Sequence, residues 1–576
     1  MNKVSTDVLV IGCGMAGINA AIEAKKNGVE PLLINKGVLG KDGAATWMAG
    51  WGFSSPIVPG DNLDVLVKDT IKCGKYLNNQ ENVYAYLEAS LPAVKDMEGW
   101  GIKYKKKGDA YVEPYHMPGH SFPRHPKLEG YDGRMTGYEY KRVFAHQVKA
   151  MGIKTIEDVL VTELVVKNGT AVGALGLDLN KGEPVLFSAK SVVMATGGFM
   201  GCYEFTSANP TLTGDGHAAM YRAGVQMIDM EFVQFLPTVA VWPLALKGVP
   251  NYCWDLYINL HGIFYNKKGE RFMERYNPGD KDWTTREKLS RAIWREIKEG
   301  RGSSHGGCYL TFRHLPRNLI KETLADLGTM YFKEYLEEAG IDLIYDGWEV
   351  APGAHYVQGG ARLDTKCQTS LDGLFAIGEA GSGSKDGADR LPGTALPYCM
   401  GQGYIAGRAA AARAKKVSMP EVAEPKEKAA ALMAPLKRTK GESSIDLKAR
   451  IKKIMTTYTM YSRTAGGLDQ ALKEIRQLKK DVLPKLAVKN QSLHQNREWG
   501  DALECANMLD VGELVAISAG LRKESRGLHE RDDFPKEDPA ELKRAVIILK
   551  DGEPKVTFEQ VKLSLVKPPE VASARS

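Results

Sequence analysis

Asp7-Val8-Leu9-Val10-Ile11-Gly12-Cys13-Gly14-Met15-Ala16-Gly17 decides the fold. The run from Asp7 to Ile11 is short and apolar, the signature of a buried parallel strand. Gly12, Gly14 and Gly17 form G-x-G-x-x-G, and Ile18-Asn19-Ala20-Ala21-Ile22-Glu23-Ala24 reads as a helix. Pro31-Leu32-Leu33-Ile34 supplies the next strand. Strand, glycine turn, helix and strand within about 30 residues is the context in which this motif binds a dinucleotide. The glycines permit a tight turn and close backbone approach, and the helix N-terminus then faces a pyrophosphate. After the second strand, where an acid usually meets the ribose, stand Asn35 and Lys36. Asn35 can still hydrogen-bond a ribose, whereas Lys36 would suit a 2′-phosphate and hence NADP.

Composition bounds the alternatives. The 576 residues suggest about three to five folding units. With 43% hydrophobic and 26% charged residues, the chain is not mainly disordered. It contains no uninterrupted apolar stretch of about 20 residues, so no bilayer span is expected. The strand opens the chain without a basic and apolar leader, and a cytoplasmic location is expected. The net charge of +7 sits mostly between Arg413 and Lys489, in helix-like sequence. That region reads as a solvated helical face or a docking surface for an acidic partner, and no nucleic-acid motif accompanies it. Eight cysteines are scattered without a C-x-x-C pair, which argues against a cluster, a structural zinc or covalent haem, and no metal site is expected.

Distant segments decide the cofactor. Ser191-Val192-Val193-Met194-Ala195-Thr196-Gly197-Gly198 is a strand ending in a small-residue turn, and Thr213-Gly214-Asp215-Gly216 precedes another helix. Gly373-Leu374-Phe375-Ala376-Ile377-Gly378-Glu379-Ala380 repeats the strand, turn and acid pattern. Arg390-Leu391-Pro392-Gly393-Thr394-Ala395-Leu396-Pro397 then opens a glycine- and alanine-rich helix whose N-terminus suits an anion or a carbonyl. With Asp229-Met230-Glu231-Phe232-Val233-Gln234-Phe235, Gly269-Glu270-Arg271-Phe272, His355-Tyr356-Val357-Gln358-Gly359-Gly360 and Glu524-Ser525-Arg526-Gly527-Leu528-His529, the chain resembles the flavoprotein subunit of the succinate dehydrogenase/fumarate reductase superfamily over nearly its whole length. That superfamily also includes aspartate oxidase and adenylylsulfate reductase.

The resemblance implies an α/β chain with a Rossmann-like FAD-binding domain, an inserted α+β capping domain and a C-terminal helical domain. The expected boundaries are 1–240 and 350–415 for the FAD domain, 241–349 for the cap, and 430–576 for the helical domain with a short strand tail. It implies FAD contacts from Gly12, Gly14, Met15, Ala16, Gly17, Asn35, Lys36, Gly43, Ala44, Ala45, Val161, Ala195, Thr196, Gly197, Asp215, Tyr356, Glu379, Arg390, Thr394, Ala395 and Leu396. The segment Gly40-Lys41-Asp42-Gly43-Ala44-Ala45-Thr46 lacks the histidine that carries covalent FAD in membrane-bound members, so non-covalent FAD is expected.

A flavin moves a hydride through N5, and relatives acting on C=C bonds supply the proton from an arginine in an R-[DE]-x-x-[SA] run. Arg286-Glu287-Lys288-Leu289-Ser290 matches it, with a capping or salt-bridged arginine as the plainer reading. His355 and Arg390 match the residues that clamp a substrate carboxylate, since a guanidinium forks onto a carboxylate bidentately. Two departures stand out. The relatives' Gln-x-His-Pro-Thr is Gln234-Phe235-Leu236-Pro237-Thr238 here. Their Thr-Glu-x-x-Arg aligns with Trp254-Asp255-Leu256-Tyr257-Ile258, which keeps only a relay carboxylate at Asp255. Leu236, Trp254 and Ile258 cannot hold a second carboxylate.

The expected function is therefore FAD-dependent reduction or formation of a C=C bond next to a carboxylate or carbonyl, on a substrate bulkier and more apolar than fumarate. Adenylylsulfate-type sulfur chemistry, fumarate or succinate chemistry proper, and a non-enzymatic electron carrier are the alternatives. Aspartate oxidation is disfavoured by Leu236. Electrons would be exchanged with a partner protein, an iron–sulfur subunit being one candidate, or with a soluble donor.

Overall fold

The structure, a computed structural model, describes residues 1–47, 53–112, 114, 116–129, 136–242, 244, 252–326, 334, 336–338, 340–342, 346, 348–383 and 385–569. Its central sheet has seven strands. Asn2–Ile11 lies between Pro31–Ile34 and Glu183–Met194, parallel to both. Lys154–Ile156 extends the parallel edge, and Leu374–Ala376 joins Val192–Met194 from far along the chain. A hairpin of Thr170–Asp178 and Val159–Lys167 completes the sheet. The parallel strands are buried on both faces, which is why Val8, Leu9, Val10 and Ile11 form an unbroken apolar run. Their C-terminal ends, at Ile11, Met194 and Ala376, open onto one crevice, where ligands bind in such sheets.

Two glycines of the turn are dictated by contact within the chain. Gly12 has φ +110°, and a Cβ there would lie 2.3 Å from the Ala195 carbonyl oxygen. A Cβ on Gly17 would lie 2.0 Å from the Gly12 carbonyl, so the helix Met15–Lys26 could not pack on the strand.

A second sheet carries the cap. Val233–Trp242 and Trp348–Val357 run antiparallel as its entry and exit, with Cys308–Thr311 and Ile263–Tyr265 beyond. The helix Arg286–Lys298 buries Leu289 and Ile293 against Phe264, Leu310 and Trp348. Farther on, the helices Ser444–Thr459, Ala465–Asp481 and Arg497–Leu521 share a core through Ile451, Met455, Ile475 and Met508. The hairpin Lys543–Lys550 and Glu553–Gln560 follows, and its first strand pairs with Met227–Ile228. The basic stretch is partly neutralised internally: Lys479 meets Asp510 at 2.7 Å and Arg476 meets Glu513 at 2.8 Å. None of the helices among the described residues is long and apolar enough to cross a membrane.

Candidate active site and cofactor cradle

The crevice is a cavity of about 500 Å³ lined by Gly12, Gly14, Met15, Ala16, Asn35, Lys36, Gly43, Ala44, Ala45, Val161, Ala195, Thr196, Gly197, Asp215 and Glu379. Gly17 stays behind the turn as a packing residue. A Cβ on Gly14 would come no closer than 3.9 Å to the chain, so space beside it is open to a ligand. Two buried polar atoms on the lining, Asn35 Nδ2 and Thr196 Oγ1, have no partner among the described residues. Orphaned groups of this kind cost free energy unless a ligand satisfies them. With the free N–H groups at the start of Met15–Lys26, they fit a dinucleotide.

Lys36 is already engaged. Its Nζ lies 2.7 Å from Asp215 Oδ2 and 2.7 Å from Glu504 Oε1, and it donates to Thr213 Oγ1 at 3.1 Å. Asp215 and Glu504 hold its charge, so the phosphate-binding role open to Lys36 in the sequence is filled by carboxylates. Glu504, Asp501 and Arg497 enter the cavity from the helix Arg497–Leu521, and Lys141 Nζ donates to the Cys13 carbonyl at 2.6 Å. Burial pushes Lys141 down to about 8. These four are absent from the sequence-based expectation because no local motif marks them.

Glu379 accepts from the Val357 N–H at 3.0 Å, and burial pushes its carboxyl up to about 7. Tyr356, Arg390, Thr394, Ala395 and Leu396 are not among the residues lining this cavity. Tyr356 OH donates to Asp386 Oδ2 at 3.1 Å, its ring lies under the Arg390 guanidinium at 4.4 Å, and Thr394 is the N-cap of the helix Ala395–Ala414.

Arg286, Arg390 and His355 come together although they belong to three segments. Arg286 is the first residue of its helix, after the cap Thr285, and Nη2 donates to the Arg390 carbonyl at 3.5 Å. Burial, then the Arg390 charge, lower Arg286 to about 10. The helix N-terminus adds to the same trend, because its dipole disfavours a cation. Arg390 Nη2 donates to Gln234 Oε1 at 2.9 Å, and its buried Nε has no partner among the described residues. His355 sits at a register shift: Gln234 faces Tyr356 and Phe235 faces Ala354, so His355 is the extra residue of a β-bulge. Its Nδ1 is 2.8 Å from Ser207 Oγ, and burial with the two arginine charges holds the imidazole well below its ordinary range.

Leu236 is buried in the strand that presents Gln234, opposite Gly353. Trp254 and Ile258 lie on the helix Tyr252–Leu260 and are half-buried against the cap core. Between them, Tyr257 ties this helix to the Arg286 helix, because its OH accepts from the Thr284 N–H at 3.2 Å. The side chain of Asp255 lies outside the described residues. Ser207, Gln234 and Asp389 complete the site. Only Gln234 lay within a segment singled out in the sequence, and there it was part of a motif rather than a partner of Arg390.

Residues 7–396 match the family described as FAD binding domain, and residues 448–573 match Fumarate reductase flavoprotein C-term. The chain is 34% identical over 551 residues to one subunit of the Fumarate reductase (CoM/CoB) of Methanothermobacter marburgensis, covering 95% of this chain and 98% of that one. A structure of E. coli quinol fumarate reductase superposes with TM-score 0.88 at 26% identity, covering 99% and 98% of the two chains. Adenylylsulfate reductase from Archaeoglobus fulgidus shares the fold, with TM-score 0.77 at 21% identity over 98% and 97%. The chain is an FAD-dependent oxidoreductase and belongs to the fumarate reductase/succinate dehydrogenase flavoprotein family.

Proposed function

We propose that the protein reduces, or in reverse forms, a C=C bond next to a carboxylate or carbonyl, on a substrate bulkier and more apolar than fumarate. The observation that carries this reading is the meeting of Arg286, Arg390 and His355 from three separate segments. FAD, when bound, supplies or receives the hydride. The cradle residues named above hold it, without a covalent bond, because Gly40 to Thr46 offers no histidine.

Arg390 and His355 bind the substrate carboxylate. The orphaned Nε of Arg390 and the imidazole nitrogen turned away from Ser207 are the donors. A carboxylate drawn to them leaves the adjacent double bond electron-poor. Arg286 holds the proton for the other carbon. Its lowered affinity for that proton, caused by burial and by Arg390, makes a normally inert guanidinium a usable acid. Asp255 is assigned the relay role by its place in the sequence. Leu236, with Trp254 and Ile258 on the flanking helix, makes the far end of the pocket apolar, where a second carboxylate would be buried without a partner.

Fumarate itself is the second reading, favoured by the name of the Methanothermobacter relative. Electrons come from a partner protein, one form of which is an iron–sulfur subunit. The free, mostly buried cysteines suit a cytoplasmic setting. Arg286→Ala tests the proton assignment. Flavin content should stay at the wild-type level while turnover drops by about 10²-fold or more, the scale of general acid catalysis. Full activity in that variant would remove Arg286 from the mechanism.

A further inference from the structure

The paired arginines are accompanied by a carboxylate that neither the sequence motif nor the proposed proton path uses. Asp389 Oδ1 accepts from Gln234 Nε2 at 2.8 Å and from the Arg390 backbone N–H at 2.8 Å. Gln234 Oε1 accepts from Arg390 Nη2, so one amide bridges the carboxylate and the guanidinium. Both hydrogen bonds fall on Oδ1, and Oδ2 makes none among the described residues. Burial raises the Asp389 carboxyl, and the Arg286 charge is the first influence that opposes it, which places the two groups within electrostatic reach.

The charges around the site can be counted. Arg286 and Arg390 are positive and Asp389 is negative. His355 is held neutral. Lys385 and Asp386, 2.6 Å apart behind Tyr356, cancel each other, as do Glu287 and Arg291 at 2.8 Å. Among these groups one positive charge remains, and Glu379, which feels the Arg390 charge, can only reduce it further when it ionises. A dicarboxylate brings two negative charges into a region of reduced dielectric, where an unpaired one is costly.

We propose that Asp389 is a specificity-determining residue: by cancelling one of the two arginine charges, it tunes the pocket to substrates with a single carboxylate and against dicarboxylates. Attraction at Arg390 and repulsion at Asp389 then act together, as discrimination between similar ligands often requires. The inference deepens the proposed function and rests on its placement of substrate at Arg286 and Arg390. Asp389→Asn is the direct probe. It keeps the shape and the acceptor for the Arg390 N–H while removing the charge.

The experiment titrates the oxidised holoprotein with succinate, a dianion, and 3-phenylpropionate, a monoanion, following the flavin absorbance. It then compares kcat/KM for fumarate and cinnamate with dithionite-reduced protein. In Asp389→Asn, the succinate to phenylpropionate affinity ratio should shift toward succinate by about tenfold or more. The fumarate to cinnamate kcat/KM ratio should move the same way, while Asp389→Glu should keep both ratios near wild type. Unchanged ratios, or an equal loss for both ligands, would overturn the proposal and leave Asp389 a structural residue. Absence of turnover with either enoate in the wild type would count against the proposed function instead, and the binding ratio would still decide the role of Asp389.

Discussion

Glu379 illustrates how much a single environment can alter a side chain. In an unfolded chain its carboxyl ionises near 4.5, whereas burial raises it to about 7 in the fold. Between those values the native state keeps a proton that the unfolded state has lost. Stability therefore declines as pH rises from about 4.5 to 7, by up to about 1.4 kcal/mol per unit from this group, and levels off above. Urea unfolding of flavin-free protein at pH 5 and pH 7.5 should show this decline, and Glu379→Gln should flatten it. An identical pH dependence in the variant would mean that the carboxyl ionises normally in the fold. Leu236 poses the opposite case. Its identity is plain in the sequence, and the structure adds only that it is buried in the strand that carries Gln234.

At the scale of elements, the helix Arg497–Leu521 makes an unexpected contribution. Its first turns close one end of the cavity with Arg497, Asp501 and Glu504, although it lies almost 500 residues beyond the glycine motif. Arg497 is exposed, so Arg497→Ala should leave folding intact. Loss of its guanidinium from the cavity rim should weaken FAD binding by about three- to tenfold, measured by quenching of flavin fluorescence. Unchanged affinity would confine the helix to a structural role. Legibility follows the same division. Gly12 and Gly17 announce themselves through the spacing of the motif; the 2.0 Å approach at Gly17 is to the nearby Gly12 carbonyl, whereas Gly12, at positive φ, is pressed by the Ala195 carbonyl at the end of a strand far along the chain. Lys141 and Glu504 carry no such mark, since a lysine or glutamate on a helix looks the same whether it faces solvent or a cofactor. The bulge that turns His355 toward the arginines is equally silent, because register depends on the opposing strand.

Over the whole molecule, the fold was readable because fragments in a fixed order, each ambiguous alone, can be satisfied together by one sheet. Leu374–Ala376 shows this: three residues become a strand of the central sheet only after the cap has been completed between them and Val192–Met194. The cap positions Arg286 over the Arg390 segment, and the helical domain seals the cradle, so neither is an appendage to the dinucleotide fold. The basic region at 413–489 was less readable, because its charge count hid the ion pairs of Lys448 and Lys479 with the neighbouring helix.

The central claim is that this assembly reduces an enoate with one carboxylate and an apolar tail. It is tested most directly by following anaerobic reoxidation of the dithionite-reduced flavin, by absorbance, with fumarate, a series of aryl-enoates, and adenylylsulfate with sulfite. Rapid reoxidation by the aryl-enoates and slow reoxidation by fumarate is the predicted result. Rapid reoxidation by fumarate with no response to the aryl-enoates would contradict it.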